Sequence, residues 1–170
     1  MKLTLIGFMG AGKSTVAKML AEKLKCPHYE VDEMILTNSN RKSISEIFDL
    51  DGEGTFREFE REAIRSLAQV ESGVISTGGG AVLSEDNLDS LRSNGGKFLY
   101  LEASFGEIIN RLRTAEQERP LFRDPSKAAI LFGERIPVYE QIADWTLSTD
   151  GRKPAEIAAF IDEIVNAGRL

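Results

Sequence analysis

The chain has 170 residues, 42% of them hydrophobic and 28% charged, and carries a formal net charge of -6 at pH 7. This composition predicts one globular domain over residues 1–170 and argues against nucleic acid or an anionic membrane as the main partner. The single cysteine, Cys26, cannot form an internal disulfide, so we expect a reducing, cytoplasmic setting. No stretch of the sequence reaches membrane-spanning length, and we expect a monomer.

The N-terminal segment predicts a strand, a phosphate-binding loop and a helix. Residues 2–6 are short and apolar, as in a buried strand. Residues 7–14 read GFMGAGKS, which fits the full G-x-x-x-x-G-K-[ST] pattern of the Walker A loop. Apolar residues then recur at helical spacing over residues 15–24. The flanking strand and helix favour a nucleotide site over a glycine-rich turn that matches by chance.

The loop has a specific chemistry. Glycines allow its backbone N–H groups to converge on an anion, and the helix that follows adds its positive dipole end. Lys13 is placed to reach the β- and γ-phosphates of ATP, and the Ser14 hydroxyl to ligate Mg²⁺. The ATP-binding candidates of this segment are Gly10, Ala11, Gly12, Lys13, Ser14 and Thr15.

The rest of the chain alternates predicted strands and helices. Strands are predicted at 28–31, 74–76, 97–101 and 145–148. Helices are predicted through 34–36, from the N-cap Ser43 through 47–48, and at 55–70, 84–93, 104–113, 127–143 and 154–165. This alternation predicts an α/β fold, a three-layer sandwich with a five-stranded parallel sheet.

Glycines and one polar segment mark the expected boundaries between these elements. Gly52 and Gly54 are expected to separate two helices, and Gly95 and Gly96 to cap another. The helix over 127–143 is expected to be irregular around its internal glycine and proline. Residues 114–126 are polar and contain two prolines, so we interpret them as a mobile lid.

Three candidate site segments follow the first three predicted strands, where ligands bind in parallel sheets. The first is the phosphate loop. Asp32, after the second strand, is either a helix N-cap or a carboxylate that accepts a proton or holds a metal-bound water. Glu30, two residues earlier, would share its face of the strand. Gly78–Gly80, after the third strand, form either a turn or, as we favour, a close approach of backbone to a ligand.

Arginines supply the remaining candidates, although most arginines are ordinary surface groups. Arg119 lies in the predicted lid, from where it could close over the transferring phosphoryl group. Arg57 lies near the start of a predicted helix, where a cation gains nothing from the helix dipole, which indicates an anionic partner. The pattern alone assigns no role to Arg61, Arg111, Arg135 or Arg152.

The order and spacing of these segments resemble those of the shikimate kinase family, in the small P-loop kinase superfamily. The resemblance covers essentially the whole chain. It is carried by GFMGAGKST at 7–15, VD at 31–32, STGGGA at 76–81, RPL at 119–121, RIPVY at 135–139, the loop at 152–154, and Gly52-Glu53 with Phe56-Arg57 and Glu60.

The resemblance implies transfer of the γ-phosphate of ATP to the 3-hydroxyl of shikimate, with Mg²⁺ as cofactor. It implies that Asp32 holds the substrate hydroxyls and accepts the proton. Arg57 and Arg135 would bind the substrate carboxylate with the backbone at Gly79, because a planar guanidinium suits a carboxylate. The implied substrate-binding residues are Asp32, Arg57, Gly78, Gly79, Gly80 and Arg135; the implied catalytic residues are Lys13, Asp32 and Arg119.

The resemblance also implies the nucleotide contacts. Arg119 matches the lid arginine on the phosphates, and Arg111 and Arg152 match positions near the adenine. Mg²⁺ would be held by ATP and Ser14, with Asp32 as a further candidate through a water. The sequence departs from the family pattern at Glu30, where an aspartate is common, and the stretch from Arg119 to Arg135 is a few residues shorter than usual.

Two other functions fit parts of the sequence. A related small-molecule kinase would act on a sugar acid or a nucleoside monophosphate, but the arginine pair with the triple glycine favours a polyol with a carboxylate. A nucleotide-binding switch would bind ATP or GTP without an acceptor. The sequence lacks the N-K-x-D guanine motif, and a lid indicates closure over a second substrate.

Overall fold

The computed structural model describes residues 1–113 and 124–170. Its sheet has five parallel strands in the order β2-β3-β1-β4-β5. The strands are β1 (Lys2–Ile6), β2 (His28–Glu30), β3 (Gly73–Ser76), β4 (Lys97–Glu102) and β5 (Trp145–Ser148). The inner strands β1 and β3 are buried along their whole length, including the polar residues Lys2, Thr4 and Ser76, because helices cover both faces of the sheet.

Helices connect the strands in the described part of the chain. They are α1 (Lys13–Leu24), α2 (Val31–Ser39), α3 (Ile44–Leu50), α4 (Gly52–Ser66), α5 (Glu85–Arg92), α6 (Phe105–Arg113), α7 (Pro125–Ile142) and α8 (Pro154–Asn166). Short 3₁₀ turns follow α4, β3 and α5 at Leu67–Gln69, Ala81–Leu83 and Ser93–Gly95.

The strand order determines where the helices lie. Parallel crossovers are right-handed, so the step from β1 to β2 places α1 on one face, and the steps back across the sheet from β2 to β5 place their connecting helices on the other. Consistently, α1 packs against α8, whereas α4 packs against α2, α3 and α5. The chain therefore forms the predicted three layers, and the carboxyl ends of β1, β2 and β3 meet at one edge.

The core lies between the sheet and its two helix layers. Leu3, Leu5 and Ile6 of β1 are fully buried, as are Val16 and Leu20 of α1. Within the described residues, no helix is both long and apolar enough to cross a membrane. Because β1 precedes the phosphate loop and α1 follows it, both ends of the loop are anchored in this core.

All five predicted strands are confirmed, but several helix boundaries were wrong. α2 begins at Val31 directly after β2, so Asp32 lies in a first helical turn and not at the end of a strand. Gly52 does mark the boundary of two helices, with φ +81°, but Gly54 lies inside α4. Thr55 Oγ1 donates to the Asp51 carbonyl at 2.9 Å and helps to close this first turn.

Two further boundary predictions need correction. The helix predicted over 84–93 ends at Arg92, and a 3₁₀ turn containing Gly95 separates it from Gly96. Of the predicted lid, residues 114–123 lie outside the described residues. Pro125 and Ser126 belong to α7, because Asp124 caps this helix by accepting from the Ser126 and Lys127 N–H groups.

Candidate active site

The phosphate loop has the backbone that its sequence predicts. Gly10 and Gly12 adopt positive φ angles of +80° and +94°, which L-residues with side chains rarely adopt. The Ala11 N–H donates to the Phe8 carbonyl at 3.2 Å and closes the turn. Lys13 is the first residue of α1, so the loop leads directly into a helix N-terminus, where an anion is stabilised.

The Lys13 ammonium group is buried beneath this loop. Its Nζ donates to the carbonyls of Gly7 at 2.8 Å and Phe8 at 2.9 Å, and the residue is only 7% exposed. These contacts hold the charge beside the concave side of the loop. A phosphate bound there would meet a cation that is already oriented.

A cavity of about 400 Å³ opens above the loop. Its walls are residues 9–16 with Arg111, Leu112, Arg152, Pro154 and Ile157, and it reaches Asp32, Thr77, Gly78 and Gly79 at its other end. Arg111 braces the wall, since its guanidinium donates to the Thr149 carbonyl at 2.7 Å and to the Ala11 carbonyl at 3.3 Å. The cavity brings together every described residue that was predicted to bind ATP.

Oxygen atoms gather between the loop and β2. The Ser76 hydroxyl donates to Ser14 Oγ at 3.3 Å, and Ser14 in turn contacts the Glu30 carboxyl group. Burial raises the pKa of Glu30, against the opposing hydrogen bond from Ser14. Within the described residues, Glu30 Oε2 is buried without a hydrogen-bond partner. A hard cation prefers such oxygen ligands, so these residues fit a magnesium ion that also binds nucleotide phosphates.

Asp32 lies where two cavities meet. The cavity above the loop adjoins a second, smaller cavity, and both are lined by Met9, Asp32, Gly78 and Gly79. The N-cap of α2 is Glu30, so the interpretation of Asp32 as a helix N-cap is wrong. A Cβ atom added to Gly78 would lie 3.6 Å from Asp32 Oδ1, which shows how closely the backbone passes the carboxylate.

The smaller cavity is surrounded by glycine backbone and two arginines. A Cβ atom at Gly80 would lie 2.7 Å from both terminal nitrogens of Arg57, and one at Gly79 would lie 3.4 Å from Arg135 Nη1. At the triple glycine, the backbone therefore passes close to the side chains of Arg57 and Arg135. The apolar part of the wall, which the sequence analysis did not identify, consists of Met9, Ile44, Phe48 and Phe56.

Arg57 is held by two carboxylates of its own helix. It pairs with Glu60 at 2.9 Å and with Glu53 at 2.9 Å, one turn away on either side. The Glu60 side chain is 2% exposed, and burial raises its pKa against the opposing charge of Arg57. Glu60 received no role from the sequence, although its spacing of three residues from Arg57 is that of a helical ion pair.

Arg135 is buried, with only 4% of its surface exposed. Its guanidinium lies over the Phe8 ring, 5.9 Å from the centroid, and its Nε has no hydrogen-bond partner within the described residues. Arg152 lies at the far end of the larger cavity, with its guanidinium 6.0 Å from the Phe160 ring centroid. Arg119 lies outside the described residues.

The parallel sheet, the phosphate loop and the smaller cavity beside Asp32 define a P-loop kinase with a pocket for a second substrate. The family model described as shikimate kinase matches residues 9–166. The chain is 39% identical over 158 residues to a shikimate kinase from Sulfurihydrogenibium sp., covering 92% of this chain and 93% of that one. This protein belongs to the shikimate kinase family.

Solved structures agree with this assignment. A shikimate kinase from Acinetobacter baumannii in complex with shikimate superposes with a TM-score of 0.89 at 29% identity, covering 99% of this chain and 94% of that chain. A shikimate kinase from Aquifex aeolicus has a TM-score of 0.81 at 32% identity, covering 99% of this chain and 98% of that chain.

Proposed function

We propose that this protein transfers the γ-phosphoryl group of ATP to the 3-hydroxyl of shikimate and releases ADP and shikimate 3-phosphate. The observation that carries the proposal is the position of Asp32, which lines both the cavity above the phosphate loop and the cavity beside Arg57 and Arg135. A carboxylate at this junction separates a site for a nucleotide from a site for an acidic acceptor. All proposed residues lie in one chain, so the proposed active unit is a monomer. The single cysteine, Cys26, supports a reducing, cytoplasmic setting.

The donor half binds ATP. The N–H groups of the loop and of the first turn of α1 receive the phosphates, Lys13 balances charge on the β- and γ-phosphates, and Arg111 and Arg152 border the nucleotide at the far end of the cavity. Ser14, with Glu30 and Asp32 through waters, would hold Mg²⁺ beside the phosphates. When bound, the ion neutralises charge that develops between the β- and γ-phosphoryl groups.

The acceptor half binds the carboxylate of shikimate through Arg57, Arg135 and the backbone of Gly79. The ring rests against the apolar wall of Ile44, Phe48 and Phe56. This places the 3-hydroxyl toward Asp32, which accepts its proton as the oxygen attacks the γ-phosphorus. The bond between that phosphorus and the bridging oxygen of ADP breaks, and Arg119 balances charge on the transferred group.

A coupled assay of ADP release tests the proposal. Purified protein with ATP and Mg²⁺ is offered shikimate, a sugar acid and a nucleoside monophosphate, and we expect turnover with shikimate alone. Asp32→Asn should lower kcat by a factor of about 10² to 10⁴ while ATP still binds. Arg135→Ala should remove measurable saturation by shikimate. Turnover of another acceptor in preference to shikimate, or full activity in Asp32→Asn, would refute the proposal.

A further inference from the structure

Tyr139 connects two parts of the acceptor pocket, and the mechanism above does not use it. It lies on α7 four residues after Arg135, so the two side chains lie on the same face of the helix. The residue is fully buried. Its hydroxyl donates to the Gly79 carbonyl at 2.5 Å, a contact between residues that are 60 positions apart in the sequence.

The same hydroxyl lies beside Arg135. A Cβ atom at Gly79 would lie 3.3 Å from the Tyr139 hydroxyl oxygen and 3.4 Å from Arg135 Nη1, so phenol and guanidinium flank one α-carbon. Burial raises the pKa of Tyr139, against the opposing charge of Arg135. The phenol therefore keeps its proton at neutral pH, and it remains a hydrogen-bond donor.

The Gly79 carbonyl needs such a partner because of its neighbours. Glycine restricts the backbone less than any other residue. The Gly78 and Gly80 carbonyls accept from the Ala81 and Leu83 N–H groups, each at 3.1 Å, whereas the Gly79 carbonyl accepts from Tyr139. The Gly79 carbonyl shares a rigid peptide plane with the Gly80 N–H, so a hydrogen bond to this carbonyl also fixes the direction of the Gly80 N–H. In the pocket proposed above, the direction of the N–H groups in this segment determines how well a carboxylate is bound.

Tyr139 is held firmly enough to set this direction. Its ring packs on the Tyr100 ring of β4, the strand next to the central β1, with centroids 5.3 Å apart. Gly79 also touches the loop, since a Cβ atom there would lie 3.3 Å from the Gly7 carbonyl oxygen, which accepts from Lys13. The backbone of Gly79 thus lies between a fixed phenol and the base of the phosphate loop.

We propose that Tyr139 is a positioning residue for the acceptor carboxylate, which it serves by orienting the peptide between Gly79 and Gly80 and by flanking the Arg135 guanidinium. The inference rests on the proposed function, because it concerns how the same pocket binds the carboxylate. It adds a residue whose hydroxyl contacts neither substrate in that scheme. Loss of the hydroxyl should weaken the binding of the acceptor and leave nucleotide binding intact.

Tyr139→Phe tests this role. Tyr100→Phe is the matched control, because it removes the hydroxyl of a neighbouring buried tyrosine. We expect Tyr139→Phe to raise KM for shikimate by about tenfold, the size of one lost hydrogen bond, and to change KM for ATP by less than about twofold. Tyr100→Phe should change neither constant. With the primary amide of shikimate as acceptor, Tyr139→Phe and the unmodified protein should differ by less than about twofold in kcat/KM.

A rescue distinguishes positioning from a general structural role. Tyr139→p-aminophenylalanine keeps the ring and an N–H donor, and it should restore KM for shikimate; it also serves as the variant to measure if the phenylalanine variant does not fold. The inference is overturned if the two constants rise together, if neither rises, or if the amino variant binds shikimate as weakly as Tyr139→Phe. Failure of the unmodified protein to phosphorylate shikimate would instead refute the proposed function.

Discussion

Arg57 and Glu60 form an ion pair of 2.9 Å in which the two partners are buried to different extents. The Glu60 side chain is 2% exposed, whereas the Arg57 side chain is 26% exposed and has a second partner in Glu53. Removing the arginine therefore leaves a buried carboxylate, while removing the carboxylate leaves an arginine that still has water and Glu53. The two halves of the pair should not contribute equally to stability.

The first prediction concerns this asymmetry. Arg57→Met should lower the free energy of unfolding at pH 7 by about 3–5 kcal/mol, because the buried Glu60 carboxylate loses the Arg57 guanidinium that it pairs with. Glu60→Gln should cost about 1 kcal/mol, since the amide oxygen still accepts from Arg57. Urea denaturation of both variants measures the difference.

The pH dependence of Arg57→Met checks the cause. Without Arg57, the already raised pKa of Glu60 rises further, so the folded state binds a proton more tightly than the unfolded state does. The deficit in stability should then shrink as pH falls toward the raised pKa. Equal losses in Arg57→Met and Glu60→Gln, or a deficit that does not change with pH, would contradict this account.

The second prediction separates two glycines. Gly80→Ala places a methyl group 2.7 Å from both terminal nitrogens of Arg57, so the guanidinium must move. We expect KM for shikimate to rise by about tenfold or more with KM for ATP unchanged, because the lost contacts are on the acceptor side. Steady-state kinetics with each substrate varied in turn provide the measurement.

Gly54→Ala is the matched control. Gly54 lies inside α4 with open space where its Cβ would be, so alanine should stabilise the protein by about 0.5–1 kcal/mol and leave both KM values unchanged. If Gly80→Ala behaves like Gly54→Ala, the close approach of backbone to Arg57 is unimportant for binding.

The local features of the site were predictable from sequence because short-range chemistry encodes them. The phosphate loop is defined by a continuous stretch of sequence in which Gly7, Gly10 and Gly12 take positive φ, and only glycine does so at little cost. The strand ends and the triple glycine followed from the alternation of apolar runs with helices. The wrong placement of Asp32 at a strand end also has a local cause. Helix α2 starts directly after β2 without a turn, so no turn-forming residue in the sequence separates the strand from Asp32.

Contacts across long sequence separations were not predictable. Tyr139 and Gly79 are 60 residues apart, and only the folded sheet brings α7 over the end of β3. Ile44, Phe48 and Phe56 were predicted to lie on helices, but helical spacing gives a common face without saying whether it meets the core or a ligand. The pairing of Arg57 with Glu60 is a local contact at an i, i+3 spacing that is visible in the sequence, although the sequence analysis gave Glu60 no role.

The third prediction concerns the metal. Chelation of divalent ions should lower activity by about 100-fold or more, and added Mg²⁺ should restore it.

Glu30→Gln should raise the Mg²⁺ concentration for half-maximal activity at saturating ATP, because a neutral amide is a weaker partner for a metal-bound water. Glu33→Gln changes an exposed carboxylate on α2, three residues after Glu30, and should behave like the unmodified protein. An unchanged Mg²⁺ requirement in Glu30→Gln would remove Glu30 from the metal site.

The fourth prediction concerns Asp144, which joins β4 to the chain before β5. Its carboxylate accepts from the Phe98 N–H at 2.8 Å and lies 3.3 Å from both Arg92 and Lys97. Burial alone would raise the pKa of Asp144, but the Phe98 hydrogen bond and the two cations outweigh it and hold the pKa below its usual 3.8. The ionised form is therefore favoured by folding.

The sign of the pH effect follows from this depressed pKa. The unfolded chain binds the proton more tightly, so the stabilisation is present above pH 3.8 and is lost as pH falls through the lower pKa of the folded state. Asp144→Asn should be less stable than the unmodified protein by about 1–2 kcal/mol at pH 7, and the gap should close in strong acid. Asp89→Asn, which changes an exposed carboxylate on α5, should show no such convergence. Urea titrations at several pH values measure the free energy of unfolding of each variant. If the difference between Asp144→Asn and the unmodified protein persists at the lowest pH, Asp144 stabilises the fold through its shape and not its charge.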